Sequence, residues 1–265
     1  MLAFIIPLKS SQLSSSWERV CQLLERTLKS VCNQTSSNFE VIIVCHEKPE
    51  LSFSNPKVRC LSVDLPLPGN DFVSKEKDQI CKMLLGMIEA DSMNPSHIMF
   101  VDADDCVSNR LVEFVDQNID QNGWFIGKGY EYREDIQQLK YRSKGLHLRS
   151  NTSHIIRMDL LKPYLTIPLE EVRRENFIRD NFILYHPDTA NILKRRGTPL
   201  KELPFPGMVY ITDNGENIWW SQSQISEREK DFYLKNQIQL YLKKVYQKLI
   251  TRPLTPEIQQ EFYLY

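Results

Sequence analysis

Apolar, strand-like runs alternate with amphipathic helical segments through the first hundred residues, and this alternation constrains the fold more than any other feature. The apolar runs are residues 2–8, 39–44, 58–63 and 98–101. Two segments between them, 17–31 and 80–88, carry apolar side chains every three or four residues, which predicts helices with one buried face. Strands that alternate with such helices form a mostly parallel sheet covered on both faces. The sequence therefore predicts an α/β fold with a Rossmann-like beginning.

The second half of the chain is less regular. Strands are expected at 124–126 and 153–156, and helices at 188–196, ended by Gly197, and at about 226–250. No repeat or low-complexity linker separates these elements. We divide the chain into two halves of one domain, residues 1–120 and 121–222, and a C-terminal helical extension, 223–265.

Composition excludes several classes of protein. The 265 residues include 33 Lys and Arg against 34 Asp and Glu, so the basic excess of a nucleic-acid binder is missing. No run approaches the roughly 18 apolar residues of a membrane-spanning helix, and the first apolar run ends too early, at Pro7, for a signal peptide. The six cysteines form no CxxC pair, which favours reduced thiols. We expect a cytoplasmic protein.

The sharpest chemical feature is a cluster of acids, Asp102, Asp104 and Asp105, directly after a predicted strand. Ligands of open α/β sheets bind at the carboxyl ends of strands. Aspartate oxygens suit Mg²⁺ or Mn²⁺, which bridge phosphate oxygens, so one interpretation is a metal and diphosphate site. In the alternative, Asp105 caps a helix that begins near Asn109, and the other two are ordinary loop acids.

Four segments, in order, resemble family 2 glycosyltransferases of the GT-A fold. They are Thr27–Thr35 (TLKSVCNQT), Phe39–Val44 (FEVIIV), Gly86–Ala90 (GMIEA) and Ile98–Asp105 (IMFVDADD). The resemblance covers roughly residues 2–120 and implies a nucleotide-sugar-binding first half and an acceptor-side second half. It also implies transfer of a sugar from a UDP- or GDP-linked donor to a saccharide or lipid-linked acceptor, with Mn²⁺ or Mg²⁺ as cofactor.

The resemblance also implies roles for individual residues. Asp104 would be the most direct metal ligand, and Asp102 would bind the metal through water or contact the ribose. Ala103, between them, would contact the nucleotide-sugar. The nucleoside would lie against Pro7, Leu8 and Lys9. Lys75 and Lys77 could approach the diphosphate, although Lys75–Asp78 also reads as a solvated charged run.

Two departures from the family pattern concern recognition and catalysis. The second strand ends in Cys45, His46 and Glu47 where the family has Asp-Asp-Gly-Ser, so these residues would contact the nucleotide in its place. The Glu-Asp pair that supplies the general base of inverting members is missing. His186, eleven residues before Gly197, stands at the equivalent position.

The catalytic base therefore has two candidates, His186 and Asp188, since a neutral histidine or a tuned aspartate can accept a proton near pH 7. His186 could instead bind the metal or be inert, and Asp188 could serve only as a helix N-terminal acid.

Other functions stay open at this point. A non-catalytic nucleotide- or sugar-binding module could use the same scaffold. A DxD aspartyl phosphatase would use Asp102 as nucleophile. In such phosphatases, however, the nucleophilic aspartate follows the first strand of the fold, whereas Asp102 follows the fourth predicted strand. The basic C-terminal helix could rest at the inner membrane face or be a solvated surface. Its basic residues are Lys243, Lys244, Lys248 and Arg252.

Overall fold

The computed structural model of the chain describes residues 1–174, 188–216, 245 and 249–265. Its strands are β1 (Leu2–Pro7), β2 (Phe39–Cys45), β3 (Val58–Ser62), β4 (His97–Phe100), β5 (Cys106–Val107), β6 (Gly123–Phe125), β7 (Gly129–Arg133), β8 (Gln138–Arg142), β9 (His154–Arg157), β10 (Lys201–Glu202), β11 (Met208–Thr212) and β12 (Thr251–Arg252). Its helices are α1 (Trp17–Val31), α2 (Phe72–Asp91), α3 (Leu111–Asp116), α4 (Met158–Leu161), α5 (Leu169–Val172), α6 (Thr189–Arg195) and α7 (Pro256–Phe262).

Seven of the described strands form the central sheet, in the order β10-β6-β9-β4-β1-β2-β3. The four strands from β4 to β3 are parallel, and β9 runs antiparallel between β4 and β6. The predicted α/β fold with a mostly parallel central sheet is confirmed. This sheet draws strands from both proposed halves of the chain, while the boundaries at 120 and 222 stay predictions.

Helices cover both faces of the central sheet because successive residues of β1 point to opposite sides. Phe4 and Ile6 pack with the buried face of α1, whereas Ala3 and Ile5 pack with α2. Ser16 begins α1 by accepting a hydrogen bond from the backbone N–H of Arg19, as the serines before that helix predict. On α2 the apolar face is narrower than expected, because Ile88 is 47% exposed.

A second sheet, in the order β12-β8-β7-β11-β5, lies beside the first. Asp105 connects the second sheet to the loop before β9. Its buried carboxylate accepts hydrogen bonds from the backbone N–H of Ile211 in β11 at 3.0 Å and from Ser150 Oγ at 2.7 Å. Asp105 therefore does not cap a helix, and the interpretation that it caps one near Asn109 is wrong. The following helix, α3, begins at Leu111 without a side-chain cap.

The C-terminal residues complete the second sheet. β12 pairs with β8, and Phe262 of α7 is buried against Tyr132 and Ile211 of that sheet. The Glu261 carboxylate accepts hydrogen bonds from Ser108 at 2.6 Å and from Arg110 at 2.8 Å. Most of the helix predicted at 226–250 lies outside the described residues, as do Lys243, Lys244 and Lys248.

Candidate active site

Three loops leave the carboxyl ends of β1, β2 and β4 at one edge of the central sheet. These strands are adjacent and parallel, so residues 8–10, 46–47 and 101–105 meet there. The predicted nucleotide-binding and metal-binding residues of the first half lie on these loops or next to them, apart from the two lysines predicted to approach the diphosphate. Ala103 packs its methyl group against the core on the α1 side, which leaves the flanking acids to define the chemistry of the β4 loop.

Asp102 is held on both carboxylate oxygens. Gln79 Nε2 of α2 donates to Oδ1 at 2.9 Å, and Ser150 Oγ donates to Oδ2 at 3.1 Å. The Asp102 backbone N–H donates to Thr152 Oγ1 at 2.8 Å. The side chain is thus fixed in one orientation by α2 and by the loop before β9.

The three acids lie close enough to disfavour one another's ionisation. Burial, together with the charge of Asp104, raises the pKa of Asp102 to about 6. Burial also raises the pKa of Asp104 and, with the charges of the other two acids, raises that of Asp105 well above its ordinary value. The Tyr210 pKa is raised by burial and by the same three charges, which places its phenol near them. Such a cluster favours a cation.

Asp104 is joined to the loop after β1 through residues 214–216. Asn214 Nδ2 donates to Asp104 Oδ2 at 2.7 Å, and Asn214 Oδ1 accepts from the backbone N–H of Glu216 at 2.9 Å. The buried Glu216 carboxylate in turn pairs with Lys9 and accepts from the backbone N–H of Ser16 at 2.7 Å. Sequence reasoning missed this connection because it joins residues about 200 positions apart.

A cavity of about 170 Å³ lies at this edge of the sheet, and none of the three acids is among its lining residues. Gln79, which donates to Asp102, is in its wall, and so is Glu216. Three lysines also line it. Its lining is Pro7, Leu8, Lys9, Leu13, Ser15, Pro68, Lys75, Asp78, Gln79, Lys82, Gly215 and Glu216. The predicted nucleoside-binding residues Pro7, Leu8 and Lys9 thus share one wall with Lys75.

A buried ion-pair network forms the floor of this cavity. Lys82 is 1% exposed, and its Nζ donates to Leu8 O and to Asp78 Oδ2, both at 2.7 Å. Asp78 Oδ1 lies 3.2 Å from His46 Nε2. Sequence reasoning treated Asp78 as part of a solvated run and overlooked Lys82. The available signal was two opposite charges four residues apart on an otherwise apolar helix face.

The remaining residues of the β2 loop have structural partners. Glu47 accepts hydrogen bonds from Ser10 Oγ at 2.8 Å and from the Ser11 backbone N–H at 3.1 Å, and so braces the loop after β1. These bonds outweigh burial and lower the pKa of Glu47. Cys45 is fully buried, with its Sγ 3.9 Å from Leu61 O. Neither Cys45 nor Glu47 lines the cavity, and both support the loops around it.

Of the two proposed catalytic bases, only Asp188 lies among the described residues. His186 lies outside the described residues. Asp188 is exposed at the start of α6 and makes no side-chain cap there. Of the two lysines proposed for the diphosphate, Lys75 lines the cavity, whereas Lys77 donates to Arg173 O at 3.0 Å.

The residues present fit a divalent cation that is completed by substrate. Two carboxylates with raised pKa values, Asp102 and Asp104, supply hard oxygen donors, and Gln79 joins Asp102 to the cavity lining. Within residues 1–174 and the other described ranges, no group of three or more His, Cys, Asp or Glu side chains could hold a metal ion. The protein would therefore contribute few ligands, as Mg²⁺ sites that use substrate phosphates commonly do.

Comparisons with known proteins give weak structural likeness and no sequence match. No protein-family model matches the chain, and no curated protein matches it. The S. aureus TarS 1–349 structure in complex with UDP is 13% identical over 80% of this chain and 60% of that one, with a TM-score of 0.44. The chain thus spans less than two thirds of the TarS fragment.

Two further solved structures give similar values. The Francisella tularensis 2-C-methyl-D-erythritol 4-phosphate cytidylyltransferase (IspD) is 13% identical over 86% of this chain and 98% of that one, with a TM-score of 0.41. The bifunctional IspDF of Campylobacter jejuni is 12% identical over 82% and 51%, with a TM-score of 0.38. At these values the likeness says nothing about activity.

No helix among the described residues has the length and apolar character needed to cross a membrane.

Proposed function

We propose that the chain is a glycosyltransferase that moves a sugar from a nucleotide-sugar donor to an acceptor, with a divalent cation as cofactor. One observation carries the proposal: two carboxylates with raised pKa values, Asp102 and Asp104, are joined through Gln79 and through residues 214–216 to a cavity lined by lysines at the carboxyl edge of a parallel sheet. This is the place where open α/β sheets bind nucleotides. The sequence resemblance to family 2 glycosyltransferases supports the same reading.

The donor lies in the cavity in this proposal. Pro7 and Leu8 border the nucleoside, and Lys75 faces the diphosphate; no ion pair of Lys75 is found within the described part of the chain. The Lys9 ammonium pairs with Glu216 but stays partly exposed, so it can add positive charge near the diphosphate. Fixed positive charge near the leaving diphosphate stabilises the transition state, because negative charge grows on that group as the glycosidic bond breaks.

Asp102 and Asp104 would hold the cation, which when bound supplies further charge stabilisation to the leaving group. Gln79 and Ser150 fix the Asp102 carboxylate, and Asn214 fixes that of Asp104. This bonding keeps both groups oriented, so little reorganisation accompanies the reaction.

The acceptor would approach from the side of the second sheet. A group that removes the acceptor proton is still needed, and His186 and Asp188 stay the proposed bases. The acceptor, a saccharide or a lipid-linked sugar, would meet the enzyme in the cytoplasm or at the inner membrane face.

The test is turnover with a panel of UDP- and GDP-sugars, in Mn²⁺ and in Mg²⁺, measured as release of the nucleoside diphosphate. We expect one donor to be consumed, and expect Asp104→Asn to lower the rate by about a hundredfold or more. Asp120→Asn is the matched control, since Asp120 is an exposed acid far along the chain from the cavity lining. Equal turnover by Asp104→Asn and the parent would overturn the metal role. Tight nucleotide binding without turnover of any donor would instead indicate a non-catalytic binding module.

A further inference from the structure

A buried carboxylate in the second sheet is paired with two arginines. Glu131 of β7 is 1% exposed, and its oxygens lie 2.5 Å from Arg142 Nη2 and 3.0 Å from Arg149 Nη1. We call Arg142 and Arg149 the arginine pair. Two guanidinium groups on one carboxylate leave one positive charge in excess.

The arginine pair is connected to the acid cluster through Ser150 and Tyr210. Arg149 immediately precedes Ser150, whose single hydroxyl proton is shared between Asp105 at 2.7 Å and Asp102 at 3.1 Å. Glu131 pairs in register with Tyr210, whose phenol lies near the same acids. None of the residues that line the cavity belongs to this sheet or to the loop of Arg149.

The arginine pair has unused hydrogen-bonding capacity. Arg142 Nε is buried and has no partner among the described residues, although Arg142 keeps its ion pair to Glu131. Arg149 is 48% exposed along its side chain. A buried N–H without a partner costs stability, and a bound oxyanion that accepts a hydrogen bond from it would remove that cost.

The surrounding segment is basic, whereas the chain as a whole is nearly balanced. Residues 123–157 carry seven basic and three acidic side chains, a net charge of +4, whereas the whole chain has a net charge of −1. The basic residues are Lys128, Arg133, Lys140, Arg142, Lys144, Arg149 and Arg157, and the acidic ones are Glu131, Glu134 and Asp135. The excess lies on the part of the fold that we assign to the acceptor.

We propose that the arginine pair binds an oxyanion carried by the acceptor, a phosphate or a carboxylate. The planar guanidinium fork matches the geometry of such oxyanions. This inference rests on the proposed function and adds to it the chemical class of the acceptor: an anionic sugar or polyol, rather than a neutral one.

Nitrogen-15 NMR of the arginine side chains tests this directly. The full-length protein is saturated with UDP and Mg²⁺, or with GDP and Mg²⁺, and is then titrated in parallel with glycerol 3-phosphate, glycerate and glycerol at millimolar concentrations. Arg142→Lys and Arg149→Lys assign the two Nε–H signals. We expect the Arg142 signal to shift with one or both anions and to stay unmoved with glycerol.

The anion that shifts the signal identifies phosphate or carboxylate as the recognised group. No shift with either anion, with nucleotide bound, would overturn the inference and leave the proposed function standing. A shift with the nucleotide alone, and none on adding the anions, would also overturn it, because the pair would then serve the donor. A shift with the anions in a protein that binds neither nucleotide would uphold the oxyanion site and overturn the proposed function.

A charge-matched pair of variants gives a second readout. Arg149→Gln should weaken binding of the anion that shifts the Arg142 signal by about tenfold, as expected for loss of a charge-assisted hydrogen bond, with nucleotide binding unchanged. Lys144→Gln removes the same charge from an exposed position of the same segment and should leave anion binding within about twofold, because screening weakens distant charges. Equal losses in the two variants would contradict a specific site.

Discussion

At the carboxyl edge of the central sheet, some buried charged side chains pair with an opposite charge and others do not. Lys82 and Asp78 neutralise each other across 2.7 Å at the cavity floor. Asp102 and Asp104 have hydrogen-bond donors, but burial still raises both pKa values, and the charge of Asp104 raises that of Asp102 further. A group whose ionised form is disfavoured by folding lowers the stability of the protein at pH 7. The acids are thus retained at a cost that a bound cation would offset.

Asp104→Asn should therefore stabilise the ligand-free protein. The amide keeps an oxygen that can accept from Asn214 and removes one of the clustered negative charges. We expect the free energy of unfolding at pH 7 to rise by about 1 kcal/mol, a usual gain when a functional residue is made neutral. Urea denaturation of parent and variant checks this, and a less stable variant would contradict the view that the acids repel one another.

The packing of α2 positions Gln79, Lys75 and Lys82 around the cavity. A methyl group on Gly86 would stand 2.4 Å from Ile5 Cγ2 and 3.0 Å from Val44 Cγ2, so the glycine lets the helix approach β1 and β2 closely. This close contact fixes the position of α2 on the sheet, and so the position of its N-terminal half, which carries Lys75 and Gln79, at the cavity.

Gly86→Ala should destabilise the protein by about 1 to 2 kcal/mol, because overpacking outweighs the better helix propensity of alanine. Ile88→Ala, on the exposed face of the same helix, should change the stability by less than about 0.5 kcal/mol. Thermal or urea unfolding of both variants gives the comparison. A neutral or stabilising Gly86→Ala would show that the helix is not held against the sheet at this point.

Sequence patterns were informative for elements whose signal is local. The alternation in residues 1–101 was sufficient to predict β1 to β4, α1, α2 and the meeting of their loops. The helix ended by Gly197 is likewise present as α6, with Gly197 at φ +80°. The second sheet could not be predicted, because β7 pairs with β11 about 80 residues away and β8 with the two-residue strand β12. Its polar strands carry no apolar alternation that would indicate the pairing.

At the scale of the whole molecule, His97 joins the central strand β4 to the segment that leads into the second half. The ring is fully buried, its Nε2 lies 3.0 Å from Gln121 O, and it stacks near Trp124 with ring centroids 5.3 Å apart. Burial lowers the pKa of His97 to about 4, below its ordinary value of 6.5. The folded protein thus keeps this histidine neutral, whereas the unfolded chain takes up a proton as the pH falls.

This difference predicts a loss of stability in acid. Since the unfolded state binds more protons between pH 6.5 and about 4, the His97 contribution is complete above that window and is lost as the pH falls through it. The full contribution of His97 to the free energy of unfolding is about 3 kcal/mol. Unfolding free energies measured from pH 7 to 4 should fall more steeply for the parent than for His97→Gln. Parallel curves would show that His97 does not titrate in this way.

We propose that a nucleotide binds to Asp102 and Asp104 through a divalent cation. Calorimetric titration of UDP and of GDP into the protein, with and without Mn²⁺, measures this binding. We predict that one nucleotide binds tightly only when the metal is present, and that Asp104→Asn abolishes this dependence while the variant stays folded. Binding that is equally strong without metal, or unchanged in Asp104→Asn, would contradict the account.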